Sequence, residues 1–149
     1  MKAGGDKKIN TDVMFSSKTP EWATPQDLFD RLDEKYHFNL DPASTDENAK
    51  MRKSLYRKRR RLIPRMGGYK VFCNPPYGRE IGKWVEKGYK ESQKQNTTVV
   101  MLLPARTDTK WFHDYCLKGE IEFIRGRLKF GDSKNSAPFP SMIVVFNNT

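Results

Sequence analysis

The chain has 149 residues and a net charge of +10, from 28 Lys and Arg against 18 Asp and Glu. Its mean hydropathy is −0.82, and no apolar run approaches the roughly 18 residues a membrane span needs. The length suits one domain with its own core. The charge is uneven: residues 51–66 hold eight of the basic residues and no acid, and without them the chain carries only +2. The global charge is therefore weak grounds for naming a partner.

Residues 1–15 are polar, small and lysine-rich, which suits a disordered tail ahead of a single domain over 16–149. The first ten have no apolar centre and so form no secretory signal. Cys73 and Cys116 both lie in apolar surroundings. Core thiols in a reducing, cytoplasmic setting fit that placement better than a disulfide, and no Cys-x-x-Cys spacing indicates a metal.

Thr24-Pro25-Gln26-Asp27 is a helix start. Thr24 suits the N-cap, Pro25 the first helical position and Asp27 the positive end of the helix dipole. Leu28, Phe29, Leu32 and Tyr36 give one apolar face through about residue 36. His37 to Asp41 alternates as a short strand, stopped by Pro42. The next strand spans about 70–74. A helix follows with Ile81, Trp84, Val85 and Tyr89 on one face. Thr97 to Leu103 is β-branched and aliphatic, fit for a strand buried on both sides. A second helix starts near Asp108, with Trp111, Phe112, Tyr115 and Cys116 inward, and Gly119 ends it. Strands near 121–125 and 141–146 form an antiparallel pair, joined through the loop from Gly131 to Pro140. Strand–helix alternation before that pair implies an α/β fold with a mainly parallel sheet.

The stretch that carries chemistry is Val71 to Gly78, where a strand breaks at Asn74-Pro75-Pro76-Tyr77. Two prolines cannot continue a central strand, because each removes a ladder donor. The result is a rigid loop at a strand's carboxyl end, where open α/β sheets bind ligands. An exocyclic amine on a flat ring needs acceptors for its hydrogens and a face to stack on. The Asn74 side-chain oxygen and the Pro75 carbonyl suit the first need and Tyr77 the second. Taken alone, the four residues equally suit a proline-rich turn with a buried Asn and a core Tyr.

Asn-Pro-Pro-Tyr resembles the catalytic motif of amino-methyltransferases that use S-adenosylmethionine. More closely, the chain resembles the small phage and prophage DNA N6-adenine methyltransferases. The resemblance lies in Ser17 to Pro25, Leu40-Asp41-Pro42-Ala43-Ser44, Phe72 to Gly78, Leu102 to Arg106, and the tail from Arg125 to Phe146. It implies a reduced Rossmann-like methyltransferase sheet, since only 32 residues separate Asp41 from Asn74. It implies catalysis by Asn74, Pro75, Pro76 and Tyr77, with S-adenosylmethionine held by Trp22, Thr24, Pro25, Asp41, Pro42 and Ala43. The glycine-rich turn usual after such an Asp-Pro is replaced here by Ala43-Ser44-Thr45. Double-stranded DNA is the implied partner; no membrane or metal is implied.

Arg106, Thr107 and Lys110 follow the 97–103 strand on the same rim as Asn74 and suit contact with phosphates or with the target nucleotide, or else helix capping by Thr107 or Asp108 with solvated charges. Arg125, Arg127, Lys129 and Lys134 flank another rim loop, with Phe130 and Phe139 interleaved. That pattern suits DNA backbone contact and base wedging, or a strand with one solvated face. His37 and His113 are isolated and structural. Residues 51–66 interrupt the resemblance, which runs to Lys50 and resumes at Gly67. A pair of compensating single-base shifts, turning Glu and Lys codons into Lys and Arg codons, fits the composition; a genuine basic DNA-binding insert is the alternative. Re-sequencing the coding DNA separates the two. Other functions compatible with the motif are methylation of RNA adenine or of a glutamine side chain. A non-catalytic DNA-binding protein is the reading from a different class.

Overall fold

The computed structural model describes residues 22–43, 65–131 and 134–148. The expected tail over 1–15, residues 17–21 and 44–45 of the resemblance, and residues 51–64 of the basic stretch lie outside the described residues.

The described elements are α1 (Gln26–Tyr36), β1 (Lys70–Cys73), α2 (Ile81–Ser92), β2 (Thr98–Pro104), α3 (Lys110–Asp114), a 3₁₀ turn (Cys116–Lys118), β3 (Glu120–Phe123) and β4 (Ser141–Asn147). The strands form one sheet in the order β1-β2-β4-β3. β1 and β2 run parallel, with Val71 opposite Val99. β4 runs antiparallel to both of its neighbours, with Met101 opposite Val144 and Ile121 opposite the same Val144. The architecture is thus α/β with a mixed sheet. The antiparallel pairing of the last two strands holds, but the sheet is not mainly parallel, because β4 inserts between β2 and β3 and adds a second antiparallel ladder.

Side chains alternate across the sheet, as strand geometry dictates. Val71, Cys73, Val99, Met101, Leu103, Met142, Val144 and Phe146 face one layer, built from α2, Phe112 and Cys116. Phe72, Val100, Leu102, Ile143 and Val145 face the other, built from α1 and Phe38. Burial on both faces explains why β2 and β4 read as continuous apolar runs rather than alternating ones. α2 presents Ile81, Trp84 and Val85 to the sheet, as its periodicity requires.

Three local expectations are corrected. The 37–41 strand shrinks to a single parallel bridge between Leu40 and Val71. His37 takes the left-handed conformation that closes α1 (φ 56°) and donates its N–H to Asp33, and Pro42 has no N–H to extend a ladder. α1 begins at Gln26 with Pro25 at the cap position and no side-chain cap; the Thr24 hydroxyl is engaged elsewhere. α3 is capped by Thr109, whose hydroxyl accepts the Phe112 N–H at 3.2 Å, in place of Thr107 or Asp108.

Candidate active site

The parallel course of β1 and β2, with β3 and β4 reversed relative to one another, sets one rim of the sheet. Asp41, Asn74, Ala105, Ile124 and Pro140 all fall at this end. Pro140 accepts the Ala105 N–H at 2.9 Å, and Ser141 accepts the Ile124 N–H at 3.0 Å, so the rim loops are stitched together.

The loop after β1 is anchored from both sides. Pro75 and Tyr77 are buried and Asn74 is half-buried. Gly78 has φ 126°, a conformation glycine reaches at no steric cost, and it releases the chain into α2. The Asn74 side chain reaches the segment before α1. Its Nδ2 donates to the Trp22 carbonyl oxygen and, at 3.0 Å, to the Thr24 hydroxyl. The other end of the amide is different: Asn74 Oδ1 is buried and has no hydrogen-bond partner. Leaving such an acceptor unmet costs about 1–3 kcal/mol. It is the group a ligand amine would satisfy.

Tyr77 is 8 % exposed, and its hydroxyl donates to the Leu102 carbonyl at 3.2 Å. Its ring stands edge-on to Phe139 at 5.6 Å and to Phe130 at 6.5 Å. Trp22 meets the same two phenylalanines at 5.4 and 5.5 Å, again edge to face. Tyr77 of the Asn74 loop therefore joins three aromatic rings from two chain-distant segments in one cluster. Phe130 is buried in the core, so Phe139, half-buried, is the aromatic of that loop with surface to offer. The segment before α1 is fixed from below as well, where Ala23 accepts the Gly131 N–H at 2.8 Å.

Asp41 and Pro42 are buried and Ala43 half-buried on the same rim, with Trp22 and Ala43 packed against one core cluster. Burial pushes the Cys73 thiol well above its usual range, and the nearby Asp41 charge pushes it further. Cys73 is therefore a protonated core thiol. Burial likewise pushes Cys116 up to about 12. Neither has the lowered pKa of a nucleophile. Pro25 is half-buried ahead of α1.

The basic candidates separate by setting. Arg106, Lys110, Arg127 and Lys134 are all exposed. Arg127 donates to the Ala137 carbonyl at 3.4 Å, which steadies the 124–140 loop. Lys110 lies 4.0 Å from Asp114 within α3. His113 is spent on the Thr107 carbonyl at 2.8 Å. Among the described residues no three His, Cys, Asp or Glu side chains gather as a metal site would need, and no helix is long and apolar enough to cross a membrane.

A supporting residue went unread in the sequence. Glu91 is buried on the sheet-facing side of α2 and accepts the backbone N–H groups of Met66 at 2.6 Å and Gly67 at 3.1 Å. Thr97 accepts the Gly68 N–H at 2.8 Å. Together they fix the turn that leads into β1 and so the height of Asn74. The signal was present: Glu91 continues the apolar stripe of Ile81, Trp84 and Gly88 at helical spacing, where a carboxylate has no reason to sit unless it has partners.

Comparison with known proteins gives the family. A family profile described as DNA N-6-adenine-methyltransferase (Dam) matches residues 13–148. The DNA N-6-adenine-methyltransferase of Haemophilus phage HP1 is 29% identical over 135 residues, covering 84% of this chain and 77% of that protein. The DNA N-6-adenine-methyltransferase of Escherichia phage T1 is 34% identical over 114 residues, covering 71% of this chain and 47% of that protein. The chain thus spans about half the length of the T1 protein. No solved structure is a significant match. With its profile match running from before α1 to the end of β4, the chain belongs to the DNA N-6-adenine-methyltransferase family.

Proposed function

We propose that the chain methylates the exocyclic N6 of adenine in DNA, with Asn74, Pro75, Pro76 and Tyr77 as its catalytic loop and S-adenosylmethionine as methyl donor. The observation that carries the reading is the buried, partnerless Oδ1 of Asn74 at the carboxyl end of β1. S-adenosylmethionine would supply an electrophilic methyl group on a positively charged sulfur. The residues of the Asp41 rim fit such a ligand in kind. Asp41 offers a carboxylate, which accepts hydrogen bonds from ammonium or hydroxyl groups, and Trp22, Pro25, Pro42 and Ala43 offer apolar surface on the same rim, while the Thr24 hydroxyl is taken by Asn74.

The adenine amine is a poor nucleophile because its lone pair is delocalised into the ring. Asn74 Oδ1 and the Pro75 carbonyl, as acceptors of its two hydrogens, draw the nitrogen toward a geometry in which that lone pair is available. Alignment is then the main requirement, and positioning of reactants supplies much of a barrier reduction. Tyr77 borders the base. A base inside a duplex has to leave the stack to reach a site of this kind, and exposed Arg106, Lys110, Arg127 and Lys134 suit contact with the flanking phosphates. The sheet itself is read as a reduced form of the Rossmann-like methyltransferase sheet.

The test is methyl transfer from labelled S-adenosylmethionine offered with DNA, with RNA and with glutamine peptides. Label on N6 of adenine in DNA alone is the expected result; label on RNA or on peptide replaces DNA as the substrate. Asn74→Ala should abolish turnover while leaving donor affinity intact by calorimetry, and Asp41→Ala should weaken donor affinity. Parent-rate transfer by Asn74→Ala would make the loop structural.

A further inference from the structure

We infer that Thr24 is a positioning residue for the reaction, acting through Asn74 rather than on the methyl donor; the inference rests on the reading of Asn74 as the amine acceptor. A carboxamide is useful to an amine only when its oxygen, not its nitrogen, faces the substrate. The two ends have nearly the same shape, so something has to choose between them.

The segment before α1 makes that choice in two parts. The Trp22 carbonyl oxygen can only accept, so the amide nitrogen has to face it. The reversed amide would set two acceptor oxygens against each other. That fixes the direction but leaves the side chain free to rock about one hydrogen bond. The Thr24 hydroxyl, 6 % exposed as a residue, accepts the second hydrogen at 3.0 Å. With both hydrogens of Nδ2 engaged, Oδ1 has one place to point, and it is the end left without a partner.

The hydroxyl is available for this work because it does not cap α1, which has no side-chain cap. The acceptors are themselves held. The Trp22 ring is braced against Phe130 and Phe139, and Ala23 between them is tied to Gly131. The amide is thus oriented by backbone and hydroxyl groups about fifty residues away in sequence.

Thr24→Val keeps the branched shape and removes the acceptor, while Thr24→Ser keeps the hydroxyl. In single-turnover transfer to adenine-containing DNA, Thr24→Val should be slower by about 10- to 100-fold, with unchanged calorimetric affinity for S-adenosylmethionine. Thr24→Ser should restore most of the rate. The Asn74 side-chain amide gives a readout independent of turnover. By nuclear magnetic resonance, both of its hydrogens should be protected from exchange in the parent, one should lose protection in Thr24→Val, and Thr24→Ser should recover it. Unchanged Asn74 signals in Thr24→Val, or parent-rate transfer, would overturn the inference. So would a fall in donor affinity that matches the fall in rate, since it would place Thr24 on the donor. A parent chain that methylates no DNA sinks the proposed activity instead, and the resonance experiment still decides whether Thr24 holds the amide.

Discussion

Glu91 and Tyr77 are polar side chains that the fold has buried, and each carries a measurable consequence. Burial alone would push the Glu91 carboxyl up. The Lys94 hydrogen bond, the Met66 N–H and the charges of Lys87 and Lys94 outweigh it and bring the group down to about 2, from an ordinary 4.5. Lys94 lies 2.5 Å and Lys87 3.5 Å from the carboxylate. A carboxylate whose folded pKa is depressed contributes stability that is complete above its unfolded pKa and lost as pH falls through the folded one. The shift corresponds to about 3 kcal/mol, present above about pH 4.5 and gone by about pH 2. Urea unfolding across that range should therefore show a steeper acid loss in the parent than in Glu91→Gln, which should be less stable at neutral pH. Parallel pH profiles would mean that the carboxylate contributes nothing. At Tyr77, burial first and the Cys73 sulfur second hold the phenol far above its usual range, so it stays a hydroxyl that donates to Leu102. Tyr77→Phe should lose about 1 kcal/mol of stability and keep most of its transfer rate, whereas Tyr77→Ala should lose base binding; the pair of rates measures ring against hydroxyl.

Gly119 shows how an element boundary can shift. The helix expected to run up to it ends earlier, at Asp114, and Gly119 closes the 3₁₀ turn Cys116–Lys118 instead. The structure adds a closer constraint: a Cβ at Gly119 would lie 2.7 Å from the Val145 carbonyl oxygen and 2.8 Å from the Phe146 ring. The turn lies directly on β4. Gly119→Ala should therefore cost about 1–3 kcal/mol, the usual range for overpacking, read as a lower urea midpoint. An unchanged midpoint would mean that the backbone yields freely. α1 and α2 were legible because their apolar residues recur at helical spacing, and β2 and β4 because unbroken β-branched and aliphatic runs mark strands buried on both faces. That same double burial hid the strand order: a segment apolar on both faces carries no sign of which strands it will pair with. Thr24-Pro25 misled because a helix cap and a buried amide acceptor call for the same residue. The Asn74 loop was legible, since two prolines at a strand end have few structural outcomes. Its hold on Trp22 was not, because a backbone carbonyl leaves no trace in residue type.

At the scale of the molecule, the basic candidates for DNA contact divide into those on the rim and those of residues 51–66, and salt dependence can tell them apart. Replacing Arg106 and Arg127 by Gln should weaken DNA affinity evenly across sequences and flatten the log–log salt slope by roughly 0.9 for each phosphate that is no longer neutralised. Fluorescence anisotropy at several salt concentrations reads both. A slope that changes only when the bases of 51–66 are replaced would assign DNA binding to that stretch and remove it from the rim. The place of β4 has a different consequence, one of timing. It is the last of the described strands in sequence, yet it lies in the middle of the sheet between β2 and β3. On a ribosome, β2 and β3 have no shared partner until Ser141–Asn147 has left the exit tunnel. The sheet, and with it the rim that gathers Trp22, Asn74 and Phe139, can close only after translation has passed β4. A nascent chain arrested before that point should bind neither donor nor DNA, however long it waits.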